Sequence, residues 1–418
     1  MSKSKQENKD KKAKKSSFAV FIEEISSQSV LIPILAIFTG FVIGGIIIAL
    51  TTENVYAAFS DQGFFGGLRA AWDAVILAYG SLFRAALGDP AKIRAAIASG
   101  EKEAFLKAIS PISESLVATT PYIFAGLAVA LGFKSGLFNI GVEGQLMMGA
   151  AASVWVGFAF TGLPRIIHLP LALLAGAIGG AIWGFIPGLL KAKTGGHEVI
   201  NTIMMNYIAF RMSEWLLNGY LQRPGGNVPV SPPILESAEL PRLFASPVRF
   251  HAGFFVALVF AWLVYWFVFR SRWGFDLRTV GANPHAARYA GMKIASITIM
   301  AMTLSGALGG LTGANEILGV NHTLSVGFSS GYGFDAIALA LLGKNHPAGV
   351  VLAALLFGFL RSGALGMQLE AGIPIDIVSV VQALVLAFIA APAIIRTIYR
   401  LKTPEQEEGV ISLGGWGS

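Results

Sequence analysis

Long apolar runs without charge are the feature that most restricts how this chain can fold. No charged residue occurs between Ile25 and Thr52, and roughly 20 apolar residues are enough to cross the hydrocarbon of a bilayer. The composition agrees, since only 13% of the residues are charged, against roughly 25% in soluble chains. A helix satisfies its own backbone hydrogen bonds in lipid, so the sequence predicts an all-α polytopic membrane protein.

About ten transmembrane helices are predicted. The first lies at 31–50, and the charge-free runs that follow give six more: 115–133, 144–164, 166–190, 250–269, 294–315 and 377–395. Three weaker candidates are 198–218, 332–343 and 348–362. The last two are shorter than a bilayer, which favours tilted or broken helices inside the bundle. An even number of spans places both termini on the same side.

The remaining segments divide the chain further. Its predicted parts are a disordered basic tail (1–30), the first span (31–50), an extracytoplasmic amphipathic helical segment (51–111), first-half spans (112–220), a proline-rich extracytoplasmic loop (221–250), second-half spans (251–396) and a cytoplasmic tail (397–418). Within 51–111, Asp89 followed by Pro90 predicts a helix start, and Ser99 followed by Gly100 predicts its end.

The distribution of basic residues predicts the orientation. Many Lys and Arg residues fall in the short predicted inner segments, whereas the short outer turns hold only Arg165 and Arg361. Basic residues are retained on the cytoplasmic side, so both termini are predicted to be cytoplasmic. Orientation and contact with anionic lipid explain the net charge of +7 better than a nucleic-acid partner does.

Several classes of site are excluded by what the sequence lacks. There are no cysteines, and the six histidines are scattered, so a structural zinc site is not expected. We find no phosphate-binding glycine loop, kinase motif or catalytic triad, and no set of residues for an intramembrane enzyme. Transport against a gradient would need ATP hydrolysis by another chain or a coupled ion.

Two stretches resemble each other about half a chain apart. GLFNIGVEGQLMMG (136–149) and GYGFDAIALALLG (331–343) each begin with glycine, contain an aromatic residue followed by Asn or Asp, and end on glycine. Ten spans divide into two groups of five, and an odd group size makes the two halves inverted repeats, as in many transporters. The alternative is that glycine-rich membrane helices resemble one another by composition.

Polar residues in the first stretch are candidates for a substrate path. Asn139 and Glu143 are four residues apart, so they are predicted to share a helix face, with Gln145 nearly opposite. The alternative is that Glu143 caps or crosslinks helices, and for Gln145 this structural role is favoured. Placing a carboxylate within a span costs free energy, so in either role Glu143 is expected to have a definite partner.

A second polar group lies in 195–214. Glu198, Asn201 and Thr202 form a predicted stripe, and Asn206 drifts away from it. Asn201, Asn206 and, in the second repeat, Asp335 are candidates for the substrate path, although asparagines also hydrogen-bond between membrane helices.

A short helix is predicted in the cytoplasmic loop 270–296. Asn283 and Pro284 predict an N-cap and a first helical position, and Gly291 predicts the end. Fewer than two turns are not stable alone. The helix is therefore either an ordinary capped turn or an element that a partner holds.

Four ordered motifs carry a resemblance to a known family. GLFNIGVEGQLMMGA, HEVINTIMMNYIA, WGFDLRTVGANPHAARYAGM and GYGFDAIALALLGKNHPAGV resemble permeases of bacterial ATP-binding cassette importers for branched-chain amino acids, ribose-type sugars and nucleosides. The similarity covers about 112–396 and is closest to the nucleoside branch, whose binding proteins are basic membrane lipoproteins.

The resemblance implies a ten-span permease in the bacterial plasma membrane. Its partners would be two cytoplasmic ATPases that use ATP and Mg²⁺, an identical or similar second permease, and an extracytoplasmic binding lipoprotein; no cofactor would bind this chain directly. It also implies that the loop helix docks on an ATPase through Asn283, Pro284, His285, Ala286, Ala287, Arg288 and Tyr289. The family's FNIG-EGQ pattern adds Phe138 to the path candidates.

Import of nucleosides, of purine type, by alternating access is the predicted function. A neutral nucleoside rich in hydrogen-bonding groups suits amides such as Asn139 and Asn201. A permease for simple sugars with the same mechanism is one alternative. A secondary transporter that uses Glu143 or Asp335 as a proton site is another.

Overall fold

The computed structural model describes residues 28–401. The predicted basic tail at 1–30 and the predicted tail at 397–418 lie almost entirely outside the described residues. Within 28–401 the chain is helical, and β structure is limited to two isolated bridges.

Fifteen α-helices follow one another in the described part of the chain. They are α1 (Gln28–Thr51), α2 (Glu53–Leu87), α3 (Pro90–Ser99), α4 (Lys102–Lys134), α5 (Val142–Ala159), α6 (Arg165–Thr194), α7 (Glu198–Leu217), α8 (Gly253–Arg270), α9 (Arg272–Ala282), α10 (Pro284–Tyr289), α11 (Ile294–Glu316), α12 (Tyr332–Leu342), α13 (Pro347–Ala371), α14 (Asp376–Ala390) and α15 (Pro392–Ile398). A π-helical turn, Ile317–Asn321, extends α11.

Seven stretches of described helix are long and apolar enough to cross a membrane, or eight if α14 and α15 form one bent span. The polytopic all-α class is thereby confirmed, whereas the predicted number of ten is not. Polar residues make α5 and α7 less apolar, and α12 is short. One of the seven is 53–99, which the sequence predicted to lie on the outer surface; that placement stays a prediction.

Close packing of glycines joins α6 to α11. Gly180 and Gly184 of α6 face Gly306 and Gly310 of α11 so closely that a Cβ atom added to Gly180 would overlap the Gly306 carbonyl oxygen. Without a hydrophobic force between helices in lipid, small residues stabilise such pairs by bringing the backbones together. We call this contact the glycine seam.

The two halves of the chain exchange their packing partners. α4 in the first half packs against α12 and α13, while α11 in the second half packs against α5 and α6. On the first of these faces, Gly126 of α4 lies against Val350 and Leu339, and Gly358 of α13 lies against the α4 backbone at Thr119. Each half is therefore completed by helices of the other.

Several predicted boundaries differ from the structure. The weak candidate 348–362 is part of a 25-residue helix, α13, and Arg361 lies within that helix rather than in an outer turn. The predicted boundary between 111 and 112 falls inside the continuous helix α4. The candidate 377–395 contains a 91° bend between α14 and α15, at Pro392, because proline cannot continue the hydrogen-bonding ladder of a helix.

Both predicted ends of α3 are confirmed. The Asp89 side chain accepts a hydrogen bond from the Ala91 N–H at the start of α3, and Gly100 ends it with φ of +68°. The loop 221–250 has little regular structure and crosses the bundle end opposite α10, where Leu235 N donates to Gly157 O at 2.9 Å and Leu240 N donates to Leu318 O at 2.8 Å.

Candidate functional site

Two helices begin inside the bundle and face each other through their N-termini. α5 begins at Val142 after an irregular stretch, and α12 begins at Tyr332 after another. The first N–H groups of a helix have no partner within it. We call this region the half-helix junction. It comprises the N-terminal turns of α5 and α12, which we call the half-helices, and the side chains that bond to them.

The start of α5 is fixed by two asparagines. Asn139 Oδ1 accepts from the Gly141 N–H at 2.9 Å, and Asn206 Oδ1, from α7, accepts from the Gly144 N–H at 2.8 Å. Asn206 Nδ2 also donates to the Ile140 carbonyl at 3.0 Å. Asn206 lies eight residues into α7, about 12 Å along it, so the junction lies deep in the bundle relative to a hydrocarbon thickness of about 30 Å.

Asn139 is fully buried, with an exposed fraction of 0%. Its Nδ2 donates to Gln145 Oε1 at 3.0 Å and to Ser305 Oγ at 2.8 Å. The Ser305 hydroxyl in turn donates a hydrogen bond to the Ala128 carbonyl at 2.6 Å. Both hydrogens of the Asn139 side-chain amide are used within the chain, so in this structure the residue links α4, α5 and α11.

The predicted shared face of Asn139 and Glu143 is wrong. Asn139 precedes α5, in the irregular stretch after Gly136, so helical spacing does not apply to it. It pairs instead with Gln145, whose Nε2 donates back to Asn139 Oδ1 at 3.2 Å. The structural role favoured for Gln145 agrees with this contact.

Glu143 connects the two half-helices. Only 3% of the residue is exposed; one carboxylate oxygen accepts from the Ser329 hydroxyl, and the other accepts from the Gly333 N–H at 2.7 Å. Gly333 lies in the first turn of α12, so Glu143 of one half caps a helix of the other. The positive end of the α12 dipole also favours a carboxylate here.

Asp335, also in the first turn of α12, belongs to a charged cluster. Tyr122 Oη donates to Asp335 Oδ2 at 2.8 Å, and Arg361 Nη1 donates to Tyr122 Oη at 3.0 Å. Arg361 Nη1 lies 3.8 Å from Asp335 Oδ2, and its guanidinium lies 4.9 Å from the Tyr332 ring centroid. We call these four residues the Arg361 cluster.

Of the Arg361 cluster only Asp335 was predicted as a candidate, and Arg361 was missed because charged residues were interpreted as ends of spans. An arginine between the apolar stretches 351–360 and 364–367 is instead typical of a paired charge that faces the bundle interior. Glu316, buried at the end of α11, was missed in the same way.

The other predicted residues lie outside the junction. Phe138 packs on Phe133, with ring centroids 5.2 Å apart. Asn201 is half-buried in the first turn of α7, near Gly196. Further along α7, Arg211 and Glu214 form an ion pair at 2.8 Å.

The predicted loop helix is present as α10. Asn283 Oδ1 accepts from the Ala286 N–H at 3.0 Å, and Pro284 occupies the first turn. His285, Arg288 and Tyr289 are exposed, Tyr289 by 96%. Ala287, also a predicted docking residue, is fully buried in the chain's own core. It therefore packs α10 against the bundle and is not part of the exposed surface.

α9, which was not predicted, connects α10 to the half-helix junction. Gly281 of α9 lies against the turn at Gly136, where a Cβ on Gly136 would be 3.0 Å from the Gly281 Cα. That turn leads directly into Asn139 and α5. Within 28–401 no group of three or more His, Asp or Glu side chains is placed to hold a metal ion.

Comparison with known proteins identifies relatives over most of the chain. Residues 112–390 match the family described as branched-chain amino acid transport system / permease component. The guanosine ABC transporter permease protein NupP of Bacillus subtilis is 48% identical over 295 residues, which cover 69% of this chain and 83% of that protein.

Two further relatives carry different substrate names. The nucleoside ABC transporter permease protein NupB of Lactococcus lactis is 33% identical over 387 residues, covering 89% of this chain and 93% of that protein. The glucose ABC transporter permease protein TsgB13 of Haloferax volcanii is 39% identical over 290 residues, covering 66% and 75%. No solved structure matches the chain.

Proposed function

The chain belongs to the family of permease components of branched-chain amino acid transport systems, and on this basis we propose that it is the permease subunit of an ATP-binding cassette importer for nucleosides. The observation that best supports this proposal is the similarity to a nucleoside permease over 89% of the chain. Purine nucleosides are favoured, since the relative that shares 48% identity is a guanosine permease.

Simple sugars are the second candidate substrate class. The glucose permease named above shares 39% identity with this chain, less than the guanosine permease shares, and over a smaller part of the chain than the nucleoside permease. A substrate panel separates the two classes, because both would use the same mechanism.

We propose alternating access between two inverted repeats of five spans, about ten in all. The exchanged packing of α4 and α11 supports this arrangement, as does the pair of half-helices that meet at the junction. In transporters with inverted repeats, substrate paths lie where such broken helices meet. Transport would move one repeat against the other and change the contacts between α5 and α12.

Energy would enter from the cytoplasmic side through partner chains. We propose that α10 docks on an ATPase subunit, which binds ATP and Mg²⁺, and that movement of α10 reaches α5 through the contact of Gly281 with Gly136. A second identical or similar permease and an extracytoplasmic binding lipoprotein would complete the importer. Both termini would be cytoplasmic in the bacterial plasma membrane, and this chain itself would catalyse no reaction.

Reconstitution tests the proposal. The permease is placed in liposomes with the ATPases and binding protein encoded beside it, and uptake of labelled guanosine, uridine and glucose is measured with and without ATP. We expect ATP-dependent uptake of guanosine. Uptake of glucose alone would support the sugar importer, and nucleoside uptake that needs a proton gradient instead of ATP would support a secondary transporter.

A further inference from the structure

A cavity opens between α5, α7 and the segment that precedes α12. Its volume is about 390 Å³, which lies within the usual range of small-molecule sites. The lining includes Glu143, Tyr207, Phe210, Arg211, Gly327 and Ser329. Because Glu143 also caps α12, one wall of the cavity is the contact between the two half-helices. We call it the α7 cavity.

Glu143 gives the α7 cavity an unused hydrogen-bond acceptor position. An ionised carboxylate has about four acceptor positions. In this structure the carboxylate accepts from the Ser329 hydroxyl and from the Gly333 N–H, and the Gly331 N–H also interacts with it, so one acceptor position remains. One N–H donor on the edge of a planar base can fill this position, and a hydrogen bond to a charged acceptor is stronger than one between neutral groups.

Two aromatic rings form a corner of the same cavity. The centroids of Tyr207 and Phe210 are 6.2 Å apart, and their planes meet at 86°. A planar base can therefore stack on one ring while its edge contacts the other, an arrangement that aromatic pairs favour. Tyr207 is 62% exposed, so its ring is available without rearrangement of the core.

The charges around the cavity disfavour a phosphorylated ligand. Arg211 forms an ion pair with Glu214 at 2.8 Å, which neutralises the nearby cation. Glu143 adds a negative charge to the wall. A phosphate group would meet repulsion there, whereas a neutral nucleoside would not.

We propose that the α7 cavity is a substrate site within the permease that holds a purine base through its amino N–H donor, as in guanosine. The base stacks on Tyr207 and donates to the Glu143 carboxylate. This inference rests on the proposed nucleoside transport and assigns its specificity partly to the permease. Because Glu143 also caps α12, a bound base would directly contact the half-helix junction.

The test compares guanosine with inosine, which lacks the amino group. Proteoliposomes contain the full importer, and the binding protein is saturated with one nucleoside at a time, so differences in rate come from the membrane complex. Tyr207→Leu is expected to lower guanosine uptake by about tenfold, since stacking contributes substantially to base binding. Glu143→Gln is expected to reduce the guanosine-to-inosine rate ratio toward one.

Two controls separate this inference from folding effects. Trp215→Leu changes another exposed aromatic of α7 that is not part of the cavity wall, and its uptake should stay within about twofold of the unaltered protein. ATP hydrolysis stimulated by the binding protein should persist in Tyr207→Leu, and this activity would show that the complex is assembled.

Unaltered uptake in Tyr207→Leu together with an unaltered guanosine-to-inosine ratio in Glu143→Gln would overturn the inference and leave the proposed nucleoside transport intact. Absence of any nucleoside uptake by the unaltered importer would reject the proposed function and this inference together.

Discussion

At the scale of single residues, the sequence identifies the unusual polar groups but not their partners. Asn139, Glu143 and Asn206 were all identified because polar residues are rare in spans. Their partners could not be predicted, because the Ser329 that bonds Glu143 is 186 positions away and the Ser305 that bonds Asn139 is 166 positions away. Such contacts depend on the packing of both halves.

From its buried hydrogen bonds we assign Asn139 a role in stability, and this assignment can be tested. In Asn139→Leu the Gly141 N–H, the Gln145 amide and the Ser305 hydroxyl lose a buried partner, and each unsatisfied group costs about 1–3 kcal/mol. We expect a clearly lower midpoint of thermal unfolding in detergent, with reduced amounts of folded protein in the membrane. The control Asn201→Leu, at a half-buried position of α7, should unfold near the midpoint of the unaltered protein. Equal midpoints for all three proteins would contradict the assignment.

The Arg361 cluster gives a prediction for a paired charge. Arg361→Met removes the cation near Asp335 and the donor to Tyr122. Removing one partner of a fully buried ion pair costs about 3–5 kcal/mol, but Arg361 and Asp335 are each about one-third exposed, so we expect about 1–3 kcal/mol.

A double variant supplies the matched control for this pair. In Asp335→Asn with Arg361→Met the unpaired carboxylate is absent, so part of the lost stability should return. The four proteins are compared by chemical unfolding in the same detergent. Additive losses from the two substitutions would show that Arg361 and Asp335 do not interact.

At the scale of helices, local signals predicted several ends well. The ends of α3 and the start of α10 follow from Asp, Asn, Pro and Gly at definite positions, and the structure confirms them. Interruptions within a span were harder to predict. Arg361 does not end α13, because Asp335 and Tyr122 lie close enough to pair with its guanidinium. The sequence gives no direct sign of such neighbours, which are more than 20 positions away.

The glycine seam between α6 and α11 predicts sensitivity to one methyl group. In Gly180→Ala the new Cβ would overlap the Gly306 carbonyl, so the helices must separate and lose close contact along the seam. We expect a large loss of folded protein, measured as the monodisperse fraction after extraction.

A helical glycine outside the seam serves as the control. A Cβ on Gly80 of α2 would approach only the flexible end of Arg84, and alanine is favoured over glycine in helices by about 1 kcal/mol. Gly80→Ala should therefore retain or slightly raise stability. If Gly180→Ala behaves in the same way, the seam is not needed for the fold.

The exposed face of α10 predicts where an ATPase would dock. Arg288→Glu with Tyr289→Asp changes two exposed side chains and leaves the buried Ala287 intact, so the permease should fold but no longer co-purify with its ATPase. Lys193→Glu is a matched charge reversal at the exposed end of α6 and should retain the ATPase. Co-purification that is equal for both variants would exclude α10 as the docking element.

At the scale of the whole molecule, the class and the family pattern could be predicted from sequence, but the number of spans could not. Polar residues in α5 and α7 serve the half-helix junction and make these helices less apolar. The same residues that link the halves therefore weaken the signal by which spans are counted. Under the proposed mechanism, the contact of Gly281 with Gly136 would transmit a movement of α10 to α5.

The central claim is that α10 faces the cytoplasm, where an ATPase can hold it, and its most direct test is labelling from outside the cell. The chain contains no cysteine, so Tyr289→Cys, at a position 96% exposed, introduces a single thiol. Tyr220→Cys, at an 80% exposed position at the opposite bundle end, is the control. With a membrane-impermeant maleimide we predict that Tyr220→Cys reacts in intact cells and that Tyr289→Cys reacts only after permeabilisation. Labelling of Tyr289→Cys in intact cells would contradict the account.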